Sequence, residues 1–522
     1  MQSSANDQLL LPFGTLASLI RAHAIAQPSH VALIQDDRRL DYASLDRLMD
    51  QIAARLQDEG LRRGESIAIC AATSIEYAAL FLGALRAGLA VAPLAPSSTP
   101  ESLAAMANDA DARLLFLDAE VAATLEPVRA KVTAPMITLD SSAAGRPFGE
   151  WLGNKPATPK AIDVDPDDPF NIIYSSGTTG TPKGIVQSHA MRWVHVQRAA
   201  PYEYSPQSVT LLATPLYSNT TLVCFAPSLA YGGTVVLMTK FDVAAYLELA
   251  QRLRVTHTML VPVQYQRLMS SPVFGDYDLR AFRMKLCTSA PFAAALKADI
   301  LARWPGGLVE FYGMTEGGGT VILAAHQFPA KLHTVGQPAS GHDIRLIDDA
   351  GNEVAPGEIG EVVGHSQGMM TGYYKRKDLT AQAEWFDASG RRFIRTGDVG
   401  RFDADGFLTL LDRKKDMIIS GGFNIYPSDL ESVVRTHPAA AEVAVVGVPS
   451  ERWGETPVAF VVLKAEATAS ATELLAWVNE RVGKTQRLAA LEVVPALPRS
   501  AIGKVLKREL REDFVARVKT VS

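Results

Sequence analysis

The residue types that could do chemistry are most concentrated in one short stretch of the chain, residues 174–184. This stretch reads Tyr-Ser-Ser-Gly-Thr-Thr-Gly-Thr-Pro-Lys-Gly and directly follows an apolar run that begins at Phe170. Glycine lets the backbone approach an anion closely, hydroxyl groups donate hydrogen bonds to phosphate oxygens, and lysine adds a positive charge. The stretch therefore predicts a loop that binds the phosphate groups of a nucleotide.

The loop is not a Walker motif, because Lys183 is followed by Gly184 and the glycine spacing differs. A surface turn rich in glycine, serine and threonine is the alternative. The complete string resembles the AMP-binding signature of the adenylate-forming superfamily, which comprises acyl-CoA synthetases, peptide-synthetase adenylation domains and firefly-type luciferases. The resemblance implies a catalytic role for Lys183 and makes Thr179 a candidate magnesium ligand. It places the nucleotide against Ser175, Ser176, Gly177, Thr178, Thr179 and Gly180.

A second motif, Phe-Tyr-Gly-Met-Thr-Glu at residues 311–316, combines an aromatic ring, a hydroxyl group and a carboxylate. An aromatic ring beside glycine offers a flat face for adenine, and carboxylate oxygen is a preferred ligand of Mg²⁺. A turn that enters a helix is the alternative. The motif resembles the Tyr-Gly-x-Thr-Glu element of the same superfamily, which implies nucleotide contacts of Tyr312 and Gly313. By the same resemblance, Thr315 contacts a phosphate, Glu316 binds Mg²⁺, and both take part in catalysis.

The resemblance also assigns binding of the ribose to an aspartate and an arginine in a later part of the chain. Alone, an aspartate such as Asp398 usually forms a turn, and a lone arginine such as Arg413 is usually a solvated surface charge. The resemblance implies that Asp398 accepts hydrogen bonds from the ribose hydroxyls and that Arg413 donates to the ribose–phosphate part of AMP. It places an interdomain hinge at Lys415. Gly421 and Gly422 follow, where the pantetheine arm of coenzyme A could pass close to the backbone.

A further motif near the C-terminus is Pro-Arg-Ser-Ala-Ile-Gly-Lys at residues 498–504. A lysine on a turn near the C-terminus is usually only solvated. The string resembles the terminal Gly-Lys of the superfamily, whose ammonium group bridges the substrate carboxylate and the phosphates. Two like charges roughly 4 Å apart at an effective dielectric constant of about 20 repel each other by about 4 kcal/mol. Lys504 is therefore predicted to be the main catalytic residue.

The acid-binding pocket is predicted from several short segments. Residues 215–220 stand where many acyl- and aryl-CoA ligases have Pro-Leu/Met-Phe/Tyr-His, and Ser218 replaces that histidine, so a gating histidine is not expected. The aspartate with which amino-acid-activating relatives bind an α-amine is absent here, which favours a plain carboxylic acid. Residues 317–319 are all glycine and would leave space for a planar ring or a chain of moderate length. The predicted pocket residues are Tyr217, Ser218, Asn219, Val263, Gly317, Gly318 and Val321.

A turn at residues 289–291 is also predicted to lie at the site, whereas other nearby residues have structural roles as the alternative. Ser289, Ala290 and Pro291 resemble the turn that lies along adenine and the substrate, and they are predicted to contact the nucleotide. For the apolar residues of the pocket, burial in the core is the default alternative. His189 and His195 have no visible partner spacing and are predicted to be structural.

The elements that must position these residues follow from the hydrophobic pattern. Helical and strand-like runs alternate over residues 45–117 and again over 209–287, which predicts mostly parallel sheets covered on both faces. Short runs and many turns between residues 335 and 409 predict antiparallel strands. The resemblance implies an α/β fold whose large N-terminal domain, residues 1–412, contains two α/β sheets and a small β-barrel. A small mobile α+β domain, residues 413–522, would carry the catalytic lysine and the access to coenzyme A.

Composition excludes several other classes of protein. The net charge of −5 gives no broad basic surface for nucleic acid. The three cysteines form no CxxC pair, which argues against a zinc site or a disulfide framework. The first residues show no signal peptide, the last ones show no peroxisomal signal, and the most apolar segment, residues 77–96, is interrupted by Arg86. A cytoplasmic protein without a membrane span is therefore expected.

The resemblance covers nearly the whole chain and implies an ATP-dependent carboxylic acid–CoA ligase. Such an enzyme uses ATP, Mg²⁺ and coenzyme A, and it releases diphosphate and AMP through an acyl-adenylate. The run of glycines favours an aryl or arylpropenoic acid. A medium-chain or branched aliphatic acid, an enzyme that loads a carrier protein, and a nucleotide-binding sensor without turnover are the alternatives.

Overall fold

The computed structural model describes residues 4–140, 142, 144–153, 157–175, 183–413, 416–420, 423–450, 453–465, 467–483, 486–499 and 504–521. The chain divides into two compact units. The first unit comprises Met1–His333, Pro338–Asp343 and Gly364–Ile394. The second unit comprises Thr334–Gln337, Ile344–Val363 and Arg395–Ser522.

Helices and strands alternate along most of the chain, and the predicted α/β class is confirmed. The α-helices of the described residues are α1 Ala5–Leu9, α2 Leu16–Ala26, α3 Tyr42–Asp58, α4 Ile75–Arg86, α5 Pro100–Asp109, α6 Ala119–Leu125, α7 Phe148–Leu152, α8 His189–Gln197, α9 Asn219–Ala230, α10 Val243–Arg252, α11 Pro262–Met269, α12 Ala294–Arg303, α13 Lys377–Gln382, α14 Pro427–Arg435, α15 Ala471–Asn479 and α16 Lys507–Val521. The strands are β1 Val31–Gln35, β2 Arg38–Asp41, β3 Ser66–Cys70, β4 Ala90–Pro93, β5 Ala112–Leu117, β6 Met136–Thr138, β7 Arg146–Pro147, β8 Pro169–Ser175, β9 Lys183–Ser188, β10 Val209–Leu212, β11 Thr234–Leu237, β12 His257–Leu260, β13 Met284–Cys287, β14 Gly307–Tyr312, β15 Val321–Ala324, β16 Gln337–Pro338, β17 Asp343–Ile347, β18 Gly360–His365, β19 Gly372–Tyr373, β20 Glu384–Phe386, β21 Arg392–Phe402, β22 Leu408–Arg413, β23 Ile418–Ser420, β24 Phe423–Ile425, β25 Ala440–Ser450, β26 Gly454–Leu463 and β27 Ala490–Val493.

Helices begin where the sequence supplies a capping side chain. The Asp41 carboxylate accepts a hydrogen bond from the Ser44 amide at the start of α3, over 2.7 Å. Ser74 accepts one from the Tyr77 amide at the start of α4, over 3.1 Å. Each such bond satisfies an amide that has no partner within the helix, which typically contributes about 1 kcal/mol.

An eight-stranded sheet in the first unit leads into the predicted phosphate loop. Its strand order is β19-β9-β8-β4-β3-β5-β6-β7. Strands β3, β4, β5 and β6 are parallel, as apolar strands covered on both faces tend to be. Strands β8 and β9 pair in antiparallel register with Ser175 opposite Lys183, and the chain between these two residues contains most of the predicted loop.

A nine-stranded sheet, also in the first unit, brings most of the other predicted residues to one edge. Its order is β16-β15-β14-β13-β12-β10-β11-β1-β2, and neighbouring strands from β11 to β14 are parallel. Residues 217–219 follow β10, Val263 follows β12, residues 289–291 follow β13, and residues 315–318 follow β14. In parallel sheets, ligands bind outside the carboxyl ends of the strands, which is where these residues lie.

The second unit contains antiparallel strands and a small core of its own. Strands β21 and β22 pair with each other in the region where the sequence predicts antiparallel structure. Towards the C-terminus, a five-stranded sheet has the order β24-β23-β26-β25, with β27 beside β26. Buried residues of these strands and of α14 and α15 form a hydrophobic cluster that includes Ile418, Leu430, Val445 and Leu474.

The described part of the chain also bears on membrane-spanning helices and disulfide bonds. None of its helices combines the length and the apolar character that a membrane crossing requires. The three cysteines, Cys70, Cys224 and Cys287, are buried and form no disulfide bond.

Candidate active site

Two predicted catalytic residues of the first unit meet at Tyr373, a residue of β19. The ammonium nitrogen of Lys183 lies 5.5 Å from the centre of the Tyr373 ring. The Tyr373 hydroxyl donates a hydrogen bond to Oε1 of Glu316 over 2.8 Å. Strand β19 holds the tyrosine in place because Tyr373 pairs with Ile185 of β9. One tyrosine therefore connects the lysine of the predicted phosphate loop with the predicted magnesium ligand.

The surroundings keep the tyrosine in its donating form and leave the glutamate able to bind a cation. Burial, followed by the nearby Glu316 carboxylate, raises the pKa of Tyr373, so its hydroxyl keeps the proton at neutral pH. The backbone carbonyl of Glu316 accepts a hydrogen bond from the Met370 amide over 2.8 Å. Within the described residues no lysine or arginine pairs with the Glu316 carboxylate. Its second oxygen is thus available to a hard cation.

A buried polar network fixes the backbone just before Glu316. The side-chain amide of Gln187 donates to the carbonyl oxygen of Thr315 over 2.7 Å. The Arg192 guanidinium donates to the side-chain oxygen of Gln187 and, over 3.1 Å, to that of Asn219. Burial lowers the pKa of Arg192 to about 9. These bonds tie Thr315 and Asn219 to the same glutamine–arginine pair, while Nε and Nη1 of Arg192 are buried without a partner among the described residues.

The predicted adenine turn lies beside this network. Ser289 follows β13 and has a positive φ of 84°, which is uncommon for a residue other than glycine. The hydroxyl groups of Ser289 and Thr220 share a hydrogen bond of 2.5 Å. Backbone conformations of this kind cost about 1–3 kcal/mol and cluster at functional sites. Ala290 and Pro291 continue the turn at the same edge of the sheet.

The glycine run allows close backbone packing and does not leave the open space that the sequence predicts. The sequence predicts that Gly317 and Gly318 leave space in the acid pocket. A Cβ atom on Gly317 would lie 2.0 Å from the carbonyl oxygen of Gly368, and one on Gly318 would lie 2.9 Å from that of Gly364. Both glycines also have positive φ, 77° and 87°. They are required because backbones approach each other closely there, so the absent side chains do not leave open room.

The remaining pocket candidates lie at the same carboxyl edge. Tyr217 and Ser218 precede α9, and Val263 lies in the first turn of α11. Burial raises the pKa of Tyr217. Val321 is completely buried and lies opposite Tyr312 at the end of β14. Its burial fits the alternative that apolar pocket candidates belong to the hydrophobic core.

The predicted ribose-binding residues lie on two paired strands of the second unit. Asp398 of β21 is the register partner of Arg413 of β22. The Asp398 amide donates to the Thr396 hydroxyl over 3.0 Å, and Gly397 between them has a φ of 70°. The backbone of the strand is thus locally irregular at Gly397, directly before the aspartate.

Several predicted site residues lie in parts of the chain that the structure does not describe. Ser176, Gly177, Thr178, Thr179, Gly180, Lys415, Gly421 and Gly422 lie outside the described residues. Lys504 is described, belongs to the second unit and is exposed. It directly precedes Val505, which bridges to Arg499.

Sequence reasoning missed Tyr373, Gln187 and Arg192. A weak signal exists for Gln187, because a polar residue interrupts the apolar strand β9 and is completely buried. Tyr373 is one of two adjacent tyrosines, and only the pairing of β19 with β9 identifies which of them reaches the site.

Comparison with known proteins shows which family the chain resembles. The profile of the family described as AMP-binding enzyme matches residues 20–374, and that of the AMP-binding enzyme C-terminal domain matches residues 429–504. A feruloyl-CoA synthase of Amycolatopsis sp is 34% identical over 499 residues, covering 93% of this chain and 96% of the relative. The fatty acid–[acyl-carrier-protein] ligase ScoC of Streptomyces coeruleorubidus is 32% identical over 510 residues, covering 96% of each chain. ATP-bound MatB from Rhodopseudomonas palustris has a TM-score of 0.87 at 30% identity, covering 95% of this chain and 99% of that one.

Both matched profiles together account for most of the sequence, and the relatives align along nearly their whole length. The predicted resemblance to the adenylate-forming superfamily is confirmed. The chain belongs to the family of AMP-binding enzymes, and it is an AMP-forming acid–thiol ligase.

Proposed function

We propose that this protein is an ATP-dependent carboxylic acid–CoA ligase whose adenylation chemistry takes place at the Lys183–Tyr373–Glu316 arrangement. The observation that supports this most directly is the contact of Tyr373 with both Lys183 and Glu316. In the first half-reaction, a carboxylate oxygen of the acid attacks the α-phosphorus of ATP, and the bond to diphosphate breaks. In the second, the thiol of coenzyme A attacks the acyl carbon and AMP leaves.

The residues of the first unit suit the first half-reaction. Lys183 supplies positive charge to the phosphate oxygens, and residues 175–180 supply hydroxyl and amide donors. Glu316 fits a magnesium ligand because its carboxylate has one hydrogen bond to Tyr373 and no described cationic partner. The described residues contain no group of three or more His, Cys, Asp or Glu side chains that could hold a metal. We therefore propose that Mg²⁺ is bound by the Glu316 carboxylate together with phosphate oxygens of ATP, and Thr179 is a further candidate ligand. Bound Mg²⁺ would neutralise phosphate charge.

The residues of the second unit are proposed to bind the sugar and to complete the reaction. Asp398 and Arg413, which are register partners, would hold the ribose and its phosphate. Lys504 would reduce the repulsion between the acid and the phosphates during adenylation. Residues 413–522 would then move about Lys415, and Gly421 and Gly422 would admit the pantetheine arm.

The acid is proposed to be an aryl or arylpropenoic acid. Similarity to a feruloyl-CoA synthase supports this class, whereas the glycine run no longer does, because its Cβ positions are filled by backbone. An aliphatic acid transferred to a carrier protein is the second candidate, favoured by the similarity to a fatty acid–carrier-protein ligase.

A panel of acids tests this proposal. Pyrophosphate release should be measured with benzoic, cinnamic, 4-hydroxycinnamic, hexanoic and dodecanoic acids, followed by detection of the thioester with coenzyme A or with a phosphopantetheinylated carrier protein. We expect ATP-dependent turnover with the aromatic acids and thioester formation on coenzyme A. Turnover only with a carrier protein would establish the second candidate, and pyrophosphate release without an adenylate or thioester would contradict both.

A further inference from the structure

Helix α8 presents one face to the backbone that follows Glu316. Met191, His195 and Arg198 are spaced by four and three residues and therefore lie on one side of the helix and its C-cap. The terminal carbon of Met191 lies 3.0 Å from the position that a Cβ of Gly317 would occupy. The face of α8 therefore reaches the predicted acid pocket at Gly317.

Polar groups surround a single point beside this face. The position that a Cβ of Gly368 would occupy lies 3.5 Å from Nε2 of His195, 3.6 Å from the Ser366 hydroxyl and 3.7 Å from Nη1 of Arg198. These are ordinary contact distances, so the point is free to receive a small atom. Gly368 has no side chain to fill it, and its carbonyl oxygen is the one that packs on Gly317.

His342 lies close enough to His195 and Arg198 for their charges to interact, and it adds a donor to this group. Its Nδ1 accepts a hydrogen bond from the Thr320 amide over 2.7 Å. Burial, followed by the charge of Arg198, lowers the pKa of His342 to about 4, so the ring is neutral near pH 7. A neutral ring that accepts at Nδ1 carries its proton on Nε2. This Nε2 atom is buried and has no partner among the described residues.

The charge of Arg198 is not balanced by the protein. No carboxylate of the described residues pairs with it, and burial lowers its pKa while Tyr202 partly offsets that effect. His195 cannot compensate, because burial and the charges of Arg192 and Arg198 lower its pKa well below the ordinary value. The Nδ1 atom of His195 is also buried without a described partner. A neutral His195 ring donates from one nitrogen only, and Nε2 is the nitrogen that lies near the free point. Buried polar and charged groups are normally paired, so the Arg198 guanidinium and the Nε2–H group of His342 indicate a missing acceptor.

We propose that the acid substrate carries a second acidic oxygen group at its far end, and that Arg198, His195 and His342, the basic cluster, bind this group. This inference rests on the proposed function, because it concerns the acid that is activated beside Glu316. A carboxylate or a phenol oxygen supplies the acceptor that the cluster lacks, and an anionic oxygen would also balance the charge of Arg198. A purely apolar tail would leave these donors buried and unbonded.

Matched pairs of acids test this inference. The ratio of kcat/KM for pyrophosphate release should be measured for 4-carboxycinnamic or 4-hydroxycinnamic acid over cinnamic acid, and for adipic over hexanoic acid. We expect at least one substituted acid to exceed its unsubstituted partner by about tenfold or more, the lower end of a hydrogen bond to a charged group. The carboxy and hydroxy arms identify which oxygen group is bound.

Two variants act on the cluster in different ways. Arg198→Met removes the charge, and Gly368→Ala places a methyl group at the free point without a strained backbone. Each should lower the preference ratio by about tenfold or more, since a charge-assisted hydrogen bond is lost or blocked, and Arg198→Lys should restore part of it. Arg280→Met, at a side chain that is 83% exposed, and Gly149→Ala, where nothing lies within 4 Å of the Cβ position, are the controls.

The outcomes separate this inference from the proposed function. Activity with the unsubstituted acids but no preference for any substituted one would overturn the inference and leave the ligase intact. An unchanged ratio in both cluster variants, or an equal loss of activity towards both members of a pair, would also overturn it. Absence of pyrophosphate release with every acid would contradict the proposed function itself.

Discussion

At the scale of single residues, Tyr373 connects two groups of the first unit, Lys183 and Glu316, that are proposed to be catalytic. Its ring lies against Lys183 and its hydroxyl donates to Glu316. Each of these contacts alone is modest, because a cation–π contact is worth about 0.5–1 kcal/mol at an exposed site. Together they fix the relative positions of two groups that are proposed to act on the same nucleotide. Tyr373 is therefore a positioning residue rather than a reacting one.

Replacing Tyr373 by phenylalanine tests this role. The Tyr373→Phe variant keeps the ring beside Lys183 and removes only the hydrogen bond to Glu316. Because hydrogen bonds to charged groups contribute about 1.5–3 kcal/mol, we expect kcat/KM for adenylation to fall by about tenfold or more. The concentration of Mg²⁺ needed for half-maximal activity should also change, which a purely structural role would not cause.

The neighbouring tyrosine provides a matched control. The Tyr374 hydroxyl donates to Asp111 over 2.9 Å at an exposed position, so Tyr374→Phe should leave the magnesium dependence and adenylation unchanged. Equal effects of the two substitutions, or no effect of either, would remove Tyr373 from the site.

Only part of this residue-scale arrangement could be predicted from the sequence. Lys183 and Glu316 could be found because each lies in a dense motif of chemically active residue types. Tyr373 lies in neither motif, and its role depends on the pairing of β19 with β9, a contact between distant segments that leaves no local pattern. The sequence predicts a structural role for His195 because no partner spacing is visible. Arg198 lies one turn further along the same helix, but His342, the third member of the cluster, comes from a distant segment that the local pattern does not indicate.

At the scale of elements, the carboxyl edge of the parallel strands positions the site. The alternation of helices and strands predicted this sheet well, because buried parallel strands are short apolar runs bounded by turns. The spatial order of the strands could not be predicted in this way. Strand β10 lies between β11 and β12, so the segments after β10 and β12 become neighbours. The role of the glycine run could not be predicted for the same reason, because Gly368, which packs against Gly317, comes from a distant segment of the chain.

Substitution of Gly317 tests the importance of this close approach. Gly317→Ala combines a positive φ with a Cβ atom 2.0 Å from the Gly368 carbonyl oxygen, so the backbone must move. We expect it to lower the free energy of unfolding by about 2–5 kcal/mol, the sum of the left-handed backbone cost and overpacking. Chemical denaturation monitored by circular dichroism measures this change.

Gly60→Ala is the matched control for the backbone term. Gly60 has a φ of 81° but nothing within 4 Å of its Cβ position, so it should lose only about 1–2 kcal/mol. Equal losses at Gly60 and Gly317 would mean that the contact with Gly368 contributes nothing.

At the scale of the whole molecule, the groups assigned to the reaction are divided between the two units. Lys183, Thr315 and Glu316 belong to the first, whereas Asp398, Arg413 and Lys504 belong to the second. This division fits a reaction with two half-reactions, because different groups of the second unit can serve the nucleotide at each stage. The proposed roles predict that the half-reactions differ in their need for Lys504.

Measuring the two half-reactions separately in a Lys504→Ala variant tests this central claim most directly. Adenylation should be followed as pyrophosphate release from acid and ATP, and thioester formation as acyl-CoA production from a preformed acyl-adenylate, with the exposed Lys464 as the site of a control Lys464→Ala variant. We expect adenylation to fall by about a hundredfold or more, the usual cost of removing a group that stabilises developing charge, while thioester formation continues at nearly the normal rate. An equal loss in both half-reactions, or full adenylation activity without Lys504, would contradict the account.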